Sequence, residues 1–216
     1  MARPEDIECV LFDFDGVICD TEVLGARRNM ATLRRLGLDP TTEQVEALAG
    51  TAGEDSIPAL LESLGSDLTY ERYLEEDADG VDIYRDLELA PIPGVVRLVR
   101  SLRRSNIPVG LVSTTKASDI LFALDRLHMA DLFDSVVCGD MVDACKPDPA
   151  CYLASMDNLG AMGSATVVFE DSPSGIAAAN AAGAYVIGVK AGSVVQDTSA
   201  ADESIDTFEG FSLAGR

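Results

Sequence analysis

The sequence predicts an α/β protein with a doubly wound, parallel, Rossmann-like sheet and a helical domain inserted after the first strand. Two observations predict this class. From residue 92 onward, short β-rich runs alternate with helical patterns, which is typical of a parallel sheet covered by helices on both faces. Between residues 18 and 91, apolar residues recur at helical spacing, and no run there has the character of a strand.

The first predicted strand is IECVLFDFD, an apolar run that is too short for a helix and ends at an Asp-Gly turn. Four helical segments follow it: ARRNMATLRRLGL, TTEQVEALAG, EDSIPALLESLG and LTYERYLEE. The stiff junction APIPGV ends this block. We therefore predict a core domain at residues 1–17 and 92–216 and a helical domain at residues 18–91.

The second half of the chain alternates between helices and strands. The predicted elements, in order, are the helix GVVRLVRSLRRSN, the strand IPVGLVS, the helix ASDILFALDRLHM, the strand SVVCGD, the helix PACYLASMDNLG, the strand ATVVFED, the helix SGIAAANAAG and the strand AYVIGV. The polar stretch from Gln196 to Glu203 is expected to be weakly structured.

Composition excludes several functional classes. The net charge of −21 disfavours nucleic-acid binding, which needs a clustered basic face. No run approaches the roughly 20 apolar residues of a membrane span, and MARPEDIE is too polar for a signal peptide. The five cysteines lack CxxC spacing and are expected to be reduced. We expect a cytoplasmic monomer that binds neither nucleic acid nor membrane.

Polar side chains follow each predicted core strand, where ligands of such sheets bind. They are Asp13 and Asp15 after the first strand; Ser113, Thr114, Thr115 and Lys116 after the second; Asp140 and Lys146 after the third; and Glu170 and Asp171 after the fourth. We predict that this edge of the sheet carries the functional site.

The carboxylates at this edge predict a metal site. Strand alternation sends residues i and i+2 to one side, so Asp13 and Asp15 are expected to point together. Glu170 and Asp171 arrive from another strand, so three or four carboxylates converge, which is costly without a cation. Mg²⁺ suits a site built from a few carboxylates, waters and a substrate phosphate.

The same edge carries groups suited to a phosphoryl group. Ser113 or Thr114 would donate hydrogen bonds to it, and Lys146 would neutralise its charge. One carboxylate would then act as nucleophile and form an aspartyl-phosphate, while its neighbour acts as general acid and base.

Four motifs in order resemble those of the haloacid dehalogenase-like hydrolase superfamily, in the branch of β-phosphoglucomutase and phosphoglycolate phosphatase-like enzymes. They are DFDGVICD, GLVST, CKPDP and FEDSPSGIAAANAAG. The resemblance covers nearly the whole chain. It implies a Mg²⁺-dependent phosphatase that acts on a small phosphorylated metabolite such as a sugar phosphate.

The resemblance also implies individual roles. Asp13 matches the nucleophile and one metal ligand, and Asp15 matches the general acid/base, with its backbone carbonyl also on the metal. The remaining matches are Ser113, Thr114, Lys116 and Lys146 for the phosphoryl group and Glu170 and Asp171 for the metal. The helical insertion matches the cap domain that closes over the substrate in this branch.

A few sequence positions distinguish a phosphatase from the competing activities of the superfamily. Dehalogenases of the superfamily generally lack the second aspartate, so Asp15 favours phosphoryl transfer. Hexose-phosphate mutases resemble the chain in all four motifs but usually carry a cap histidine and a cap arginine where this sequence has Gly25 and Gly53. The arginines Arg27, Arg28, Arg34 and Arg35 would bind a second phosphate if they face the substrate. A binding module without turnover is the third alternative.

Two further residues are expected to be structural. Cys19 lies beside the first motif, but acidic neighbours raise the pKa of a thiol and make it a poor nucleophile, so we predict a packing role. The single histidine, His128, follows a predicted helix and is expected to have a structural or surface role.

Overall fold

Parallel strands form one sheet in the computed structural model, which describes residues 1–48, 53–78, 80 and 82–213. The strands are β1 (Cys9–Phe12), β2 (Val109–Val112), β3 (Ser135–Val137), β4 (Thr166–Glu170), β5 (Tyr185–Val189) and β6 (Glu203–Ile205). Their order is β3-β2-β1-β4-β5-β6, and every neighbouring pair is parallel. The predicted doubly wound sheet is confirmed, with its switch point between β1 and β4.

The helices follow the periodic segments of the sequence. They are α1 (Glu22–Arg35), α2 (Thr42–Glu46), α3 (Gly53–Ser63), α4 (Tyr70–Ala78), α5 (Val95–Arg104), α6 (Ala117–Arg126), α7 (Ala150–Leu159) and α8 (Pro173–Ala181). Short 3₁₀ turns occupy Ala130–Leu132, Gly139–Met141 and Gly163–Ala165. The last two residues of the predicted segment TTEQVEALAG lie outside the described residues.

The chain divides into two compact units. The first contains Met1–Asp20 and Leu89–Arg216, and the second contains Thr21–Glu88. The boundaries predicted from the sequence, at residues 17/18 and 91/92, lie within three residues of these.

Alternation along the strands gives the sheet two buried faces. Leu11 and Val168 belong to one face and pack with Tyr152 of α7 and Ile176 of α8. Phe12 belongs to the opposite face, where its ring stacks on that of Phe169 at 4.8 Å. The strands are therefore apolar on both sides, which explains why they appear as short continuous apolar runs in the sequence.

The end of the chain is more ordered than the sequence predicts. The stretch expected to be weakly structured runs into β6 at Glu203, and β6 pairs with β5. Beyond it, Phe208 is fully buried with its ring 5.5 Å from that of Phe169. A strand of three residues is too short for a periodic pattern, and its pairing partner on β5 is what defines it.

The second unit has a core of its own. Its buried residues are Leu33, Val45, Ile57, Leu60, Leu61 and Tyr73. Helices α1 and α4 are further joined where Arg28 Nε donates to Asp77 Oδ1 at 2.9 Å and Thr32 Oγ1 donates to the same oxygen at 3.0 Å. Among the described residues, no helix combines the length and the apolar composition that crossing a membrane requires.

Candidate active site

Three carboxylates meet at the switch point of the sheet. Asp13 is the first residue after β1, and its backbone N–H donates to the carbonyl of Phe169 on β4 at 3.0 Å. Glu170 ends β4 and Asp171 follows it. Each of the three buried acids offers an oxygen within 4.8 Å of the other two. Because β1 and β4 are neighbours, residues more than 150 positions apart in sequence share one small volume.

Lys146 lies among these carboxylates. Its Nζ is 2.6 Å from Asp13 Oδ1 and 2.6 Å from Glu170 Oε1, and it also donates to the backbone carbonyl of Val112 at 3.3 Å. The side chain is only 4% exposed. Burial alone would lower the pKa of Lys146, but Asp13 and Glu170 raise it well above its ordinary value. The ammonium therefore stays charged, and one positive charge faces three carboxylates.

The electrostatic imbalance acts on Asp13. Burial raises the pKa of its carboxyl, Lys146 opposes that rise, and the carboxylates of Glu170 and Asp171 add to it. The charges of Glu170 and Asp171 thus make a third negative charge, on Asp13, unfavourable. This donor set of buried oxygens fits a hard divalent cation, which would remove the imbalance.

Glu170 is held through both of its oxygens. Oε1 accepts from Tyr152 Oη at 2.8 Å as well as from Lys146, and Oε2 accepts from the backbone N–H and the hydroxyl of Ser172 at 3.0 Å each. The ring of Tyr152 also lies 5.1 Å from Lys146 Nζ. Sequence analysis did not identify Tyr152, since nothing in the helix PACYLASMDNLG shows which side chain points towards the sheet edge.

Two glycines allow the acids to approach the backbone. Gly16 has φ of +76°, and a methyl group built on it would overlap the carboxylate of Asp171. A methyl group on Gly175, in the first turn of α8, would overlap the carboxylate of Glu170. The glycines of DFDG and SPSG are therefore required by the packing of the acidic group.

Asp15 lies two residues beyond Asp13, after the end of β1 at Phe12. Its charge contributes to the raised pKa of Asp13. Asp15 Oδ2 accepts from Thr115 Oγ1 at 3.1 Å and from Ser113 Oγ at 3.4 Å. The group of three buried acids suited to a metal ion contains the carboxylate of Asp13. The backbone carbonyl of Asp15 as a metal ligand stays a prediction.

The residues after β2 divide into buried and exposed groups. Ser113 is fully buried, and its Oγ accepts from the backbone N–H of Thr115 at 3.0 Å. Thr114 and Lys116 are exposed. Thr115 was not assigned a role from the sequence, although it stands in the same polar run. Its hydroxyl contact with Asp15 becomes visible only once the ends of β1 and β2 are paired.

The loop after β5 also reaches the site. Gln196 Nε2 donates to Asp171 Oδ2 at 3.1 Å, and the backbone N–H of Ser193 donates to Asp20 Oδ2 at 2.9 Å. Gln196 belongs to the polar stretch that sequence analysis treated as weakly structured. No sequence pattern marks it, because its role depends on where the loop crosses the sheet edge.

The positions that distinguish mutases lie on one cavity of the helical unit. Gly25 and Gly53 both line this cavity of about 240 Å³, together with Arg28, Asn29, Ser56, Tyr70, Tyr73 and Asp77. Three of the four arginines proposed for a second phosphate are paired inside this unit: Arg28 with Asp77, Arg35 with Glu76 and, at an exposed position, Arg34 with Asp39. Much of their charge is therefore already compensated.

Two structural expectations are confirmed. Cys19 is buried, and burial, with Asp15 and Asp20, raises the pKa of its thiol to about 12. His128 is exposed at the end of α6.

Comparison with known proteins gives consistent relatives. The family model of haloacid dehalogenase-like hydrolases matches residues 10–189. A phosphorylated carbohydrates phosphatase of Thermotoga maritima is 32% identical over 82% of both chains, and a fructose-1-phosphate phosphatase of Escherichia coli is 31% identical over 84% of this chain and 95% of its own. The crystal structure of CbbY from Rhodobacter sphaeroides in complex with phosphate is 26% identical, with a TM-score of 0.73 over 96% of this chain and 98% of its own.

We expect Lys146→Met to lower the free energy of unfolding by about 3–5 kcal/mol at pH 7 without divalent ions, because it leaves buried carboxylates without their counter-charge. The raised pKa of Asp13 gives the sign of the pH dependence: protonation of Asp13 in the native state removes one of the uncompensated charges, so the loss shrinks as the pH falls. Urea unfolding followed by circular dichroism measures both effects.

Lys190→Met is the matched control, since Lys190 is a half-buried lysine of the same unit that stands outside this carboxylate group. We expect it to change the free energy of unfolding by less than about 1 kcal/mol. Equal losses in the two variants would contradict the pairing role of Lys146.

Proposed function

The chain belongs to the haloacid dehalogenase-like hydrolase family and is a phosphoric monoester hydrolase, and from that premise we propose that it is a Mg²⁺-dependent phosphatase of a small sugar phosphate or similar ester, acting through an aspartyl-phosphate. The observation that carries this proposal is the buried group of Asp13, Glu170 and Asp171 around a single ammonium. Such a group suits a site that binds a cation and an anionic ester together. We further propose that it works in the cytoplasm as a monomer.

Asp13, Asp171 and Glu170 are the residues that would hold Mg²⁺, with the backbone carbonyl of Asp15. Bound Mg²⁺ supplies positive charge that offsets the carboxylates and the phosphoryl oxygens. The negative charge of the protein, −21, would otherwise repel a phosphate ester. Glu170 is already held by Tyr152 and Lys146, so its position is fixed before an ion arrives.

The first step forms a bond between a carboxylate oxygen of Asp13 and phosphorus while the bond from phosphorus to the leaving oxygen breaks. Asp15, in its protonated form, gives its proton to that leaving oxygen. In the second step the Asp15 carboxylate takes a proton from water, and the water oxygen attacks phosphorus and releases Asp13. One water and one ester thus yield phosphate and an alcohol.

The phosphoryl group is bound by the residues at the ends of β2 and β3. Ser113 Oγ, the backbone of Thr114, Lys116 and Lys146 are the proposed donors. All three N–H bonds of Lys146 already have acceptors, and the bond to Val112, at 3.3 Å, is the longest. We propose that this bond is exchanged for one to a phosphoryl oxygen, while the two bonds to the carboxylates stay.

The helical unit supports a phosphatase rather than a hexose-phosphate mutase. The two positions where mutases usually carry histidine and arginine are glycines that leave a cavity open. Arg28 and Arg35 are paired with acidic residues of their own unit and are poorly suited to a second phosphate. We therefore propose a substrate with one phosphate and an uncharged, hydroxylated organic part. Relatives named phosphorylated carbohydrates phosphatase and fructose-1-phosphate phosphatase support this class.

We expect the wild type to hydrolyse p-nitrophenyl phosphate with Mg²⁺ and to lose nearly all turnover when the ion is removed. Asp13→Asn removes the attacking carboxylate and should lower kcat by at least about 10³-fold. Asp131→Asn, at an exposed position of a 3₁₀ turn, is the matched control and should keep wild-type rates. Equal rates in Asp13→Asn and the wild type would contradict the mechanism.

Product analysis separates the phosphatase from the mutase. With β-glucose 1-phosphate and a catalytic amount of glucose 1,6-bisphosphate, we expect inorganic phosphate and glucose, and no glucose 6-phosphate beyond background. Phosphorus-31 NMR of the reaction follows inorganic phosphate and the glucose phosphates. Accumulation of glucose 6-phosphate at a rate above that of inorganic phosphate would contradict the assignment.

A further inference from the structure

Two hydroxyl groups at the end of β2 hold one oxygen of Asp15. Thr115 Oγ1 donates to Asp15 Oδ2 at 3.1 Å, and Ser113 Oγ donates to the same oxygen at 3.4 Å. The backbone N–H of Thr115 donates in turn to Ser113 Oγ at 3.0 Å. These three hydrogen bonds connect Asp15, Ser113 and Thr115.

These two hydroxyls behave differently once a phosphate ester is bound. A hydroxyl group has one proton to donate, so Ser113 cannot donate to Asp15 and to a phosphoryl oxygen at the same time. Its bond to Asp15 is also the longer of the two. Under the proposed function Ser113 turns to the phosphoryl group, and Thr115 keeps its bond to Asp15.

We propose that Thr115 is a positioning residue for Asp15: its hydrogen bond to Oδ2 holds the carboxyl group in one orientation towards the substrate. This inference rests on the proposed function. A hydroxyl donor on one oxygen restricts rotation of the carboxyl group. Thr115 itself touches neither the reacting phosphorus nor the leaving oxygen in this scheme.

The orientation of Asp15 matters in both proposed steps. Asp15 gives a proton to the leaving oxygen as the bond between Asp13 and phosphorus forms, and it takes a proton from the attacking water in the second step.

Leaving groups of different basicity test this role. Phenyl phosphate has a basic leaving oxygen that needs a proton, whereas 2,4-dinitrophenyl phosphate has a weakly basic leaving oxygen that does not. The measured quantity is kcat/KM with Mg²⁺, because it reports the steps up to departure of the leaving group and excludes hydrolysis of the aspartyl-phosphate. The variants are Thr115→Val, which removes the hydroxyl at nearly constant volume, Thr115→Ser, which restores it, and Thr115→Ala as a second deletion.

We expect Thr115→Val and Thr115→Ala to lower kcat/KM by about 10–100-fold for phenyl phosphate and by less than about 3-fold for the dinitrophenyl ester. Thr115→Ser should stay within about 3-fold of the wild type for both. Thr42→Val, at an exposed position of α2, is the matched control and should change neither ester.

If Thr115→Val and Thr115→Ala lowered kcat/KM equally for both esters, Thr115 would have a merely structural role and the inference would be overturned. Unchanged kcat/KM in both of these variants would overturn it as well. The inference would also be overturned if the wild type hydrolysed the dinitrophenyl ester but not phenyl phosphate, because Asp15 would then not be protonating the leaving oxygen. If the wild type hydrolyses neither ester, the proposed function fails and takes this inference with it. The proposed function stands when the wild type hydrolyses both esters.

Discussion

The interaction on which the site depends is the contact of one buried ammonium with carboxylates that outnumber it. Lys146 Nζ lies 2.6 Å from both Asp13 and Glu170, and Asp171 completes the acidic group. Removing such charges from water is expensive unless they are paired and hydrogen-bonded. The surroundings supply that compensation in part, since Tyr152, Ser172 and Gln196 each donate to one of the acids. Under the proposed function, a divalent cation would supply the remainder.

The topology of the sheet brings these groups together. The order β3-β2-β1-β4-β5-β6 makes β1 and β4 neighbours, so the first and fourth sequence motifs meet at the switch point. β2 lies on the other side of β1, which brings Ser113 and Thr115 beside Asp15. Asp13, Asp15 and Ser113 therefore lie on short segments that directly follow parallel strands. The glycines at 16 and 175 allow the acids to pack this closely.

Sequence patterns predicted the sheet, the order of its first five strands along the chain and the residue types at the site, because each depends on local periodicity or on a short motif. They failed where the structure depends on contacts between distant segments. β6 is defined by pairing with β5, and Gln196 by the path of its loop. Tyr152 and Thr115 are ordinary core and loop residues in the sequence, and only their partners show a role.

The central claim is that the acidic group around Lys146 is a divalent-cation site, and calorimetric titration of Mg²⁺ into metal-free protein tests it most directly. The account predicts that the wild type and Asp206→Asn, altered at an exposed position, bind one ion per chain with the same affinity. Asp171→Asn should bind at least about 10-fold more weakly, because it removes one of three converging oxygen ligands. Equal affinity in all three proteins, or no binding to the wild type, would contradict the account.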